Sequence, residues 1–150
     1  MEKFVRLVAR AVPLDIANVD TDQIIPARFL GCSRADQVQA LFHDLRLDTQ
    51  GLPRSGFVLN DPAYAGARIL VADRNFGCGS SRESAVTTLY DNGFRAFIAP
   101  SFGDIFFNNC LQNGALPIRL PDARVAQIRE ALRAAPGMEL TIDLEAQTVT

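Results

Sequence analysis

The sequence predicts an α/β fold, a mixed sheet with flanking helices. Two observations carry this. Between residues 68 and 120, short apolar runs alternate with stretches of helical period, a pattern that argues for parallel strands joined by helical crossovers. Both ends of the chain read as strand instead, at Phe4 to Val12 and from Met138 to Thr150. At 150 residues the chain has the length of a single domain, residues 1–150, able to bury a core without disulfides or metal.

In chain order, Phe4 to Val12 alternates Val5, Leu7 and Ala9 with Arg6, Val8 and Arg10, a strand expected to stop at Pro13. Asn18-Val19-Asp20-Thr21-Asp22 is a polar turn, dense in side chains that bond nearby backbone. Gln23 to Leu30 is a short piece broken by Pro26. Ala35 to Leu45 predicts a helix with Val38, Leu41, Phe42 and Leu45 on one face. Arg68 to Ala72 is a buried-type strand, and Asp73 to Ser81 is a Gly-rich turn. A helix follows over Arg82 to Asn92, closed by Gly93 after its C-cap. Ala96 to Ala99 and Leu116 to Leu120 are strands, separated by a helix over Phe102 to Asn113. Asp122 to Ala135 is helical, with Val125, Ile128 and Leu132 facing inward and Pro136-Gly137 as the stop. Met138 to Leu144 and Gln147 to Thr150 form a terminal β-hairpin.

Net charge is -2, so no basic field exists to hold nucleic acid or an anionic membrane. No run of 18 apolar residues appears, and Met1 to Arg10 lacks the apolar core of a signal peptide. Cys32, Cys78 and Cys110 are odd in number and far apart, which argues against a disulfide framework or a zinc site. A reducing cytoplasm is the expected compartment. His43 is the only histidine, a poor basis for Ser-His-Asp chemistry.

The most informative run is Asn75-Phe76-Gly77-Cys78-Gly79-Ser80-Ser81-Arg82-Glu83, set between a strand and a helix. Gly77 and Gly79 allow positive φ and close backbone approach. Ser80 to Glu83 has S-x-x-E capping-box spacing, which predicts Ser80 at the N-cap and Arg82 in the first turn. Free amides at a helix start attract an anion, and the Arg82 fork suits a carboxylate. These residues alone leave two readings open: a plain cap with a surface arginine, or an anion site. Arg82 stands where a dinucleotide fingerprint has its third Gly, and no Gly-Lys-Ser/Thr follows, so both phosphate-loop readings fail.

The run Asn75 to Ala85, NFGCGSSRESA, resembles the NFGCGSSREHA signature of isopropylmalate dehydratase small subunits, within the aconitase superfamily. Val12 to Pro26, Phe57 to Leu70 and Gly93 to Ile118 are similar to further segments of that family, in the same order. Together they span about half of the chain. The resemblance implies a swivelling β/β/α domain of the aconitase small-subunit type. It also implies a two-subunit hydro-lyase of leucine biosynthesis that interconverts 2- and 3-isopropylmalate.

The partner implied is a large subunit, in a heterodimer or heterotetramer, that carries a [4Fe-4S] cluster on its own cysteines. No cofactor is expected on this chain. By the same resemblance Ser80 matches the catalytic base and Asp22 a partner in proton handling. Arg82, Ser81, Thr21 and Arg34 match positions that bind the hydroxy-acid substrate. Ser84 stands where the family commonly has His, and Gly31 to Gln39 lacks the family's TRTGFG-like run. Alternatives are a related subunit for another hydroxy acid, such as a homoaconitase or citraconate hydratase, and a paralogue that keeps the fold without activity.

Overall fold

The computed structural model describes residues 6–80, 82–145 and 147–150. Its centre is one mixed sheet of six strands: β1 (Arg6–Leu14), β2 (Ile69–Ala72), β3 (Ala96–Ala99), β4 (Leu116–Arg119), β5 (Glu139–Asp143) and β6 (Thr148–Val149). Their spatial order is β4-β3-β2-β1-β5-β6. β1 to β4 run parallel, while β5 lies antiparallel to both β1 and β6.

β1 changes character halfway. From Arg6 to Arg10 it pairs with β5 and alternates exposed with buried residues. From Ala11 to Leu14 it pairs with β2 and is buried throughout. β2 and β3 are wholly buried, as parallel strands covered on both faces must be.

Among the described residues, six α-helices flank the sheet: α1 (Thr21–Ile24), α2 (Arg34–Val38), α3 (His43–Arg46), α4 (Glu83–Asp91), α5 (Asp104–Gln112) and α6 (Asp122–Ala134). On one face Val125 and Leu132 of α6 pack against Leu7, Ala9, Ala11, Ile69, Val71 and Ile98. On the other, α4, α5 and the segment after β1 cover Val12, Leu14, Leu70, Ala72 and Phe97. The edge strands β4 and β6 both line one groove of about 760 Å³ beside α6, so the sheet curls around that helix.

Three expectations need correction. Pro13 does not end β1, which runs on to Leu14 with Pro13 opposite Val71. The Arg68 amide bonds the Arg10 carbonyl, so the alternation turns the Pro13 nitrogen away from β2. On that side β5 has already parted from β1, and no ladder bond is lost. The single helix over Ala35 to Leu45 is instead two short ones, α2 and α3. The Phe42 amide bonds the Ile24 carbonyl, and Phe42 enters the core fully buried at φ 51°. α5 starts at Asp104 rather than Phe102, because Ser101 and Phe102 are held by the neighbouring turn. The hairpin of β5 and β6, and the glycines after α4 and α5, are where the sequence puts them.

Candidate active site

Three loops leave the carboxyl ends of the parallel strands β1, β2 and β3, where ligands of open α/β sheets bind. The middle one, residues 73–82, carries the glycine-rich run. Phe76 anchors it. Fully buried, it meets Phe106 edge-on at 5.3 Å and Phe102 at 6.5 Å between ring centroids. Truncating such an aromatic costs about 3–5 kcal/mol, so the turn is firmly held. Gly77 has φ 77°, and a Cβ there would lie 2.3 Å from the Phe106 ring. Gly103 faces it from the third loop, where a Cβ would lie 2.5 Å from the Gly77 carbonyl oxygen. Only glycine permits this approach of two backbones. Ser101, which has capping-box spacing to Asp104, does not cap α5: its hydroxyl accepts from the Asn75 amide at 2.8 Å.

The first loop, after β1, is stitched to the middle one. The Thr21 amide bonds the Cys78 carbonyl at 2.9 Å, and the Gly77 amide bonds the Val19 carbonyl at 2.7 Å. Asp20 and Cys78 form a parallel β-bridge. The buried Thr21 hydroxyl donates to the Ser80 carbonyl at 3.0 Å. Asn75, at φ 61°, donates its side-chain amide to the Asn18 side chain at 3.0 Å. Asp20 begins α1 with a capping box closed by Gln23. The sequence placed Asn18, Asp20 and Asn75 in the two informative runs without assigning any of them a partner. The Asp20 to Gln23 spacing could have marked the role of Asp20, but nothing local marks the Asn pair.

Ser80 is not the N-cap of α4. That position is Arg82, in extended conformation and without a side-chain cap bond. Arg82 is therefore outside the first turn, and its guanidinium is free to reach back. Arg82 Nη1 donates to Asp22 Oδ1 at 3.1 Å and to the Ile25 carbonyl at 3.2 Å. Among the described residues its Nε and Nη2 have no protein partner. The structure thus brings Thr21, Asp22, Ser80 and Arg82 onto one rim, with Ser80 and the Asp22 carboxylate open to solvent.

The hydrogen bond from Arg82, together with that from the Ala27 amide, holds the Asp22 carboxyl below the usual carboxylate range. Asp22 is therefore an anion at neutral pH. A depressed folded pKa contributes stability above the unfolded value, about 4, and loses it as pH falls through the folded value. The Asp22→Asn variant should thus melt slightly below wild type at neutral pH, and the difference should vanish under acid. A melting series by circular dichroism checks this. The effect is small because the carboxylate is mostly exposed.

Arg34 is not brought to this rim. It makes a two-point ion pair with Asp91, at the opposite end of α4, which raises the Arg34 pKa further. Ser81 lies outside the described residues. Ser84 is half-buried in α4, where its carbonyl accepts from the Thr87 hydroxyl. The Cys78 thiol points at the Asn18 carbonyl, and burial pushes its pKa up, as it does for Cys110. Neither is poised as a thiolate. Among the described residues, no three His, Cys, Asp or Glu side chains gather as metal ligands. Among the described residues, no helix is long and apolar enough to cross a membrane.

Stitched loops at the carboxyl ends of a curled, mixed sheet are the frame of the site. A family model described as the aconitase C-terminal domain matches residues 1–123, and the chain belongs to that family. A second, LeuD_N, matches residues 126–150. The relatives are more particular. A protein of Phenylobacterium zucineum named 3-isopropylmalate dehydratase small subunit is 53% identical, over 100% of this chain and 74% of the relative. Another of that name, from Rhodospirillum centenum, is also 53% identical, over 99% and 74%. A crystal structure of 3-isopropylmalate dehydratase from Methanocaldococcus jannaschii superposes with a TM-score of 0.69 at 28% identity. It covers 96% of this chain and 74% of that one.

Proposed function

We propose that this chain is the small subunit of a two-subunit hydro-lyase that isomerises 2-isopropylmalate and 3-isopropylmalate in leucine biosynthesis. In this reading residues 1–150 act as one swivelling domain, inactive without a large subunit. The observation that carries it is the rim itself: a serine, an ionised aspartate and a half-engaged arginine on two interlocked loops, open to solvent. Serine is a weak base in water, so it needs a site from which water is excluded. That requires a second surface to close over Ser80, and the names of the relatives say small subunit.

The reaction removes a proton from carbon beside a carboxylate, and the hydroxyl departs as water; re-addition in the other orientation completes the isomerisation. Ser80, as its alkoxide, takes the carbon's proton at Oγ and returns it to carbon on re-addition. The proton that turns the departing hydroxyl into water comes from an acid on the large subunit's side of the closed site. Arg82 binds a substrate carboxylate through Nε and Nη2, while Asp22 holds Nη1 and so sets the plane of the fork. Thr21 positions Ser80 through its carbonyl, and Ser81 is assigned to substrate binding by the family resemblance alone. Arg34 would join the substrate only by leaving Asp91. Lewis-acid assistance to the departing hydroxyl would come from a [4Fe-4S] cluster on the large subunit. The cysteines Cys32, Cys78 and Cys110 lie far apart in this chain, which supports a cluster held by the partner. The compartment proposed is the cytoplasm.

The test is reconstitution with a cluster-loaded large subunit, following absorbance of the unsaturated dehydration product. We expect turnover of 3-isopropylmalate by the pair and none by either subunit alone. Citraconate and homoaconitate, run alongside, test the substrate. A chain that fails to activate the large subunit on any of these refutes the proposal.

Arg82→Lys keeps the charge but loses the planar fork. We expect it to lower kcat/KM by about 1.5–3 kcal/mol, or roughly one to two orders of magnitude, with little change in melting. Unchanged kcat/KM would remove Arg82 from the site.

A further inference from the structure

We propose that Arg129 is a positioning residue for this site, clamping together the stems of the two loops that build it; the inference rests on the reading that those loops carry the reaction. β1 and β2 are in register with Ala11 opposite Ile69 and Leu14 opposite Ala72. One residue further, Asp15 and Asp73 leave the two strands side by side. Ala11, Ile69 and Val71 face α6, so the alternation turns both aspartates to that face as well. Adjacent parallel strands lie about 4.8 Å apart. Two carboxylates that close repel, and the local bond to the pair, from the Arg74 amide to Asp73 Oδ1 at 2.7 Å, brings no cation.

α6 supplies the relief. Arg129 Nη1 lies 3.5 Å from Asp15 Oδ1 and 3.4 Å from Asp73 Oδ2. These are longer than direct hydrogen bonds, so the guanidinium acts as a cation shared between two anions. Its side chain is only 13% exposed, which strengthens the attraction. Arg129 Nε is buried without a partner, so a polar group is desolvated to put the cation there. Arg133, one turn on, bonds only Asp15, at 2.6 Å. Arg129 is therefore the residue that couples both stems. Asp15 precedes the Asn18 to Asp22 loop, and Asp73 opens the 73–82 loop. A shift between the stems would be felt where Thr21 bonds Cys78 and Gly77 bonds Val19.

The test uses the full chain, alone and paired with its large subunit. Hydrogen exchange is read at the Thr21 and Gly77 amides, which stitch the loops. For Arg129→Met we expect exchange at both to quicken roughly tenfold while β3 is unchanged. We also expect kcat on 3-isopropylmalate to fall roughly tenfold, as misplacement of a reacting group implies. Arg129→Lys, which keeps the cation, should restore most of both. Asp73→Asn keeps Arg129 and its packing, gives the same pattern at smaller amplitude, and decides the matter if Arg129→Met does not fold. Unchanged exchange at Thr21 and Gly77 overturns the inference, as does quickening that extends through the sheet or leaves kcat at the wild-type value. A wild-type pair without turnover refutes the proposed reaction instead, and the exchange pattern still decides whether the clamp exists.

Discussion

Ser80→Ala should abolish turnover while leaving the fold and its melting temperature almost untouched. The S-x-x-E spacing made Ser80 a helix cap, and a lost cap costs about 1 kcal/mol of stability. The structure removes that expectation, since Arg82 occupies the N-cap and no side chain caps α4. The one contact Ser80 makes with the first loop is through its carbonyl, which alanine retains. The hydroxyl is exposed and has no partner among the described residues. A surface substitution of this kind stays within about 0.5 kcal/mol. If Ser80 is the base, kcat falls by about two to four orders of magnitude. Melting of the chain and turnover of the reconstituted pair, measured on one preparation, separate the two effects. Turnover near the wild-type rate would end the catalytic assignment, and a drop of several degrees in melting would show a structural role that the geometry lacks.

Gly77→Ala should be strongly destabilising. Two penalties add. The residue sits at φ 77°, which costs an L-residue about 1–2 kcal/mol. The new Cβ would then lie 2.3 Å from the ring of the buried Phe106, in a cluster with Phe76, Phe97 and Phe102. Overpacking of that kind costs about 1–3 kcal/mol, so the total is roughly 2–5 kcal/mol. Gly93→Ala is the control: its φ is 101°, but nothing lies within 4 Å of the added carbon. It should lose only the conformational part. Urea unfolding of the two variants checks this, and equal losses would show that Phe106 does not confine the turn. The same anchoring explains why the run reads Asn-Phe-Gly: the aromatic holds the turn down, and the glycine lets it come close.

Much of this was legible because it is local. Helix periods, the glycines that follow α4 and α5, and the unbroken apolar runs of β2 and β3 are written within windows of about ten residues, where side-chain period and turn chemistry decide the backbone. The motif at Asn75 to Ala85 and the polar turn at Asn18 to Asp22 were both visible, and so was their resemblance to one family. Their contact was implied only by that resemblance. Capping was misread because an S-x-x-E spacing satisfies the cap rule whether or not the chain is already helical there.

What the sequence by itself determined is the six strands, the helices α4 to α6, their order, and the chemical types gathered in the two loops. What only the tertiary structure decided is who meets whom. β1 lies in the middle of the sheet, carrying parallel β2 on one side and antiparallel β5 on the other. That is why Pro13 is tolerated there. Phe42 breaks a helical pattern because the core takes its ring. Arg34 is held by Asp91, while Arg82 reaches back to Asp22, 60 residues earlier. Asp15, Asp73 and Arg129 become a group only when two strands and a helix are stacked. The physical reason is common to all of these: local preferences amount to a few tenths of a kcal/mol per residue, and burial or pairing between distant segments outweighs them wherever the two conflict.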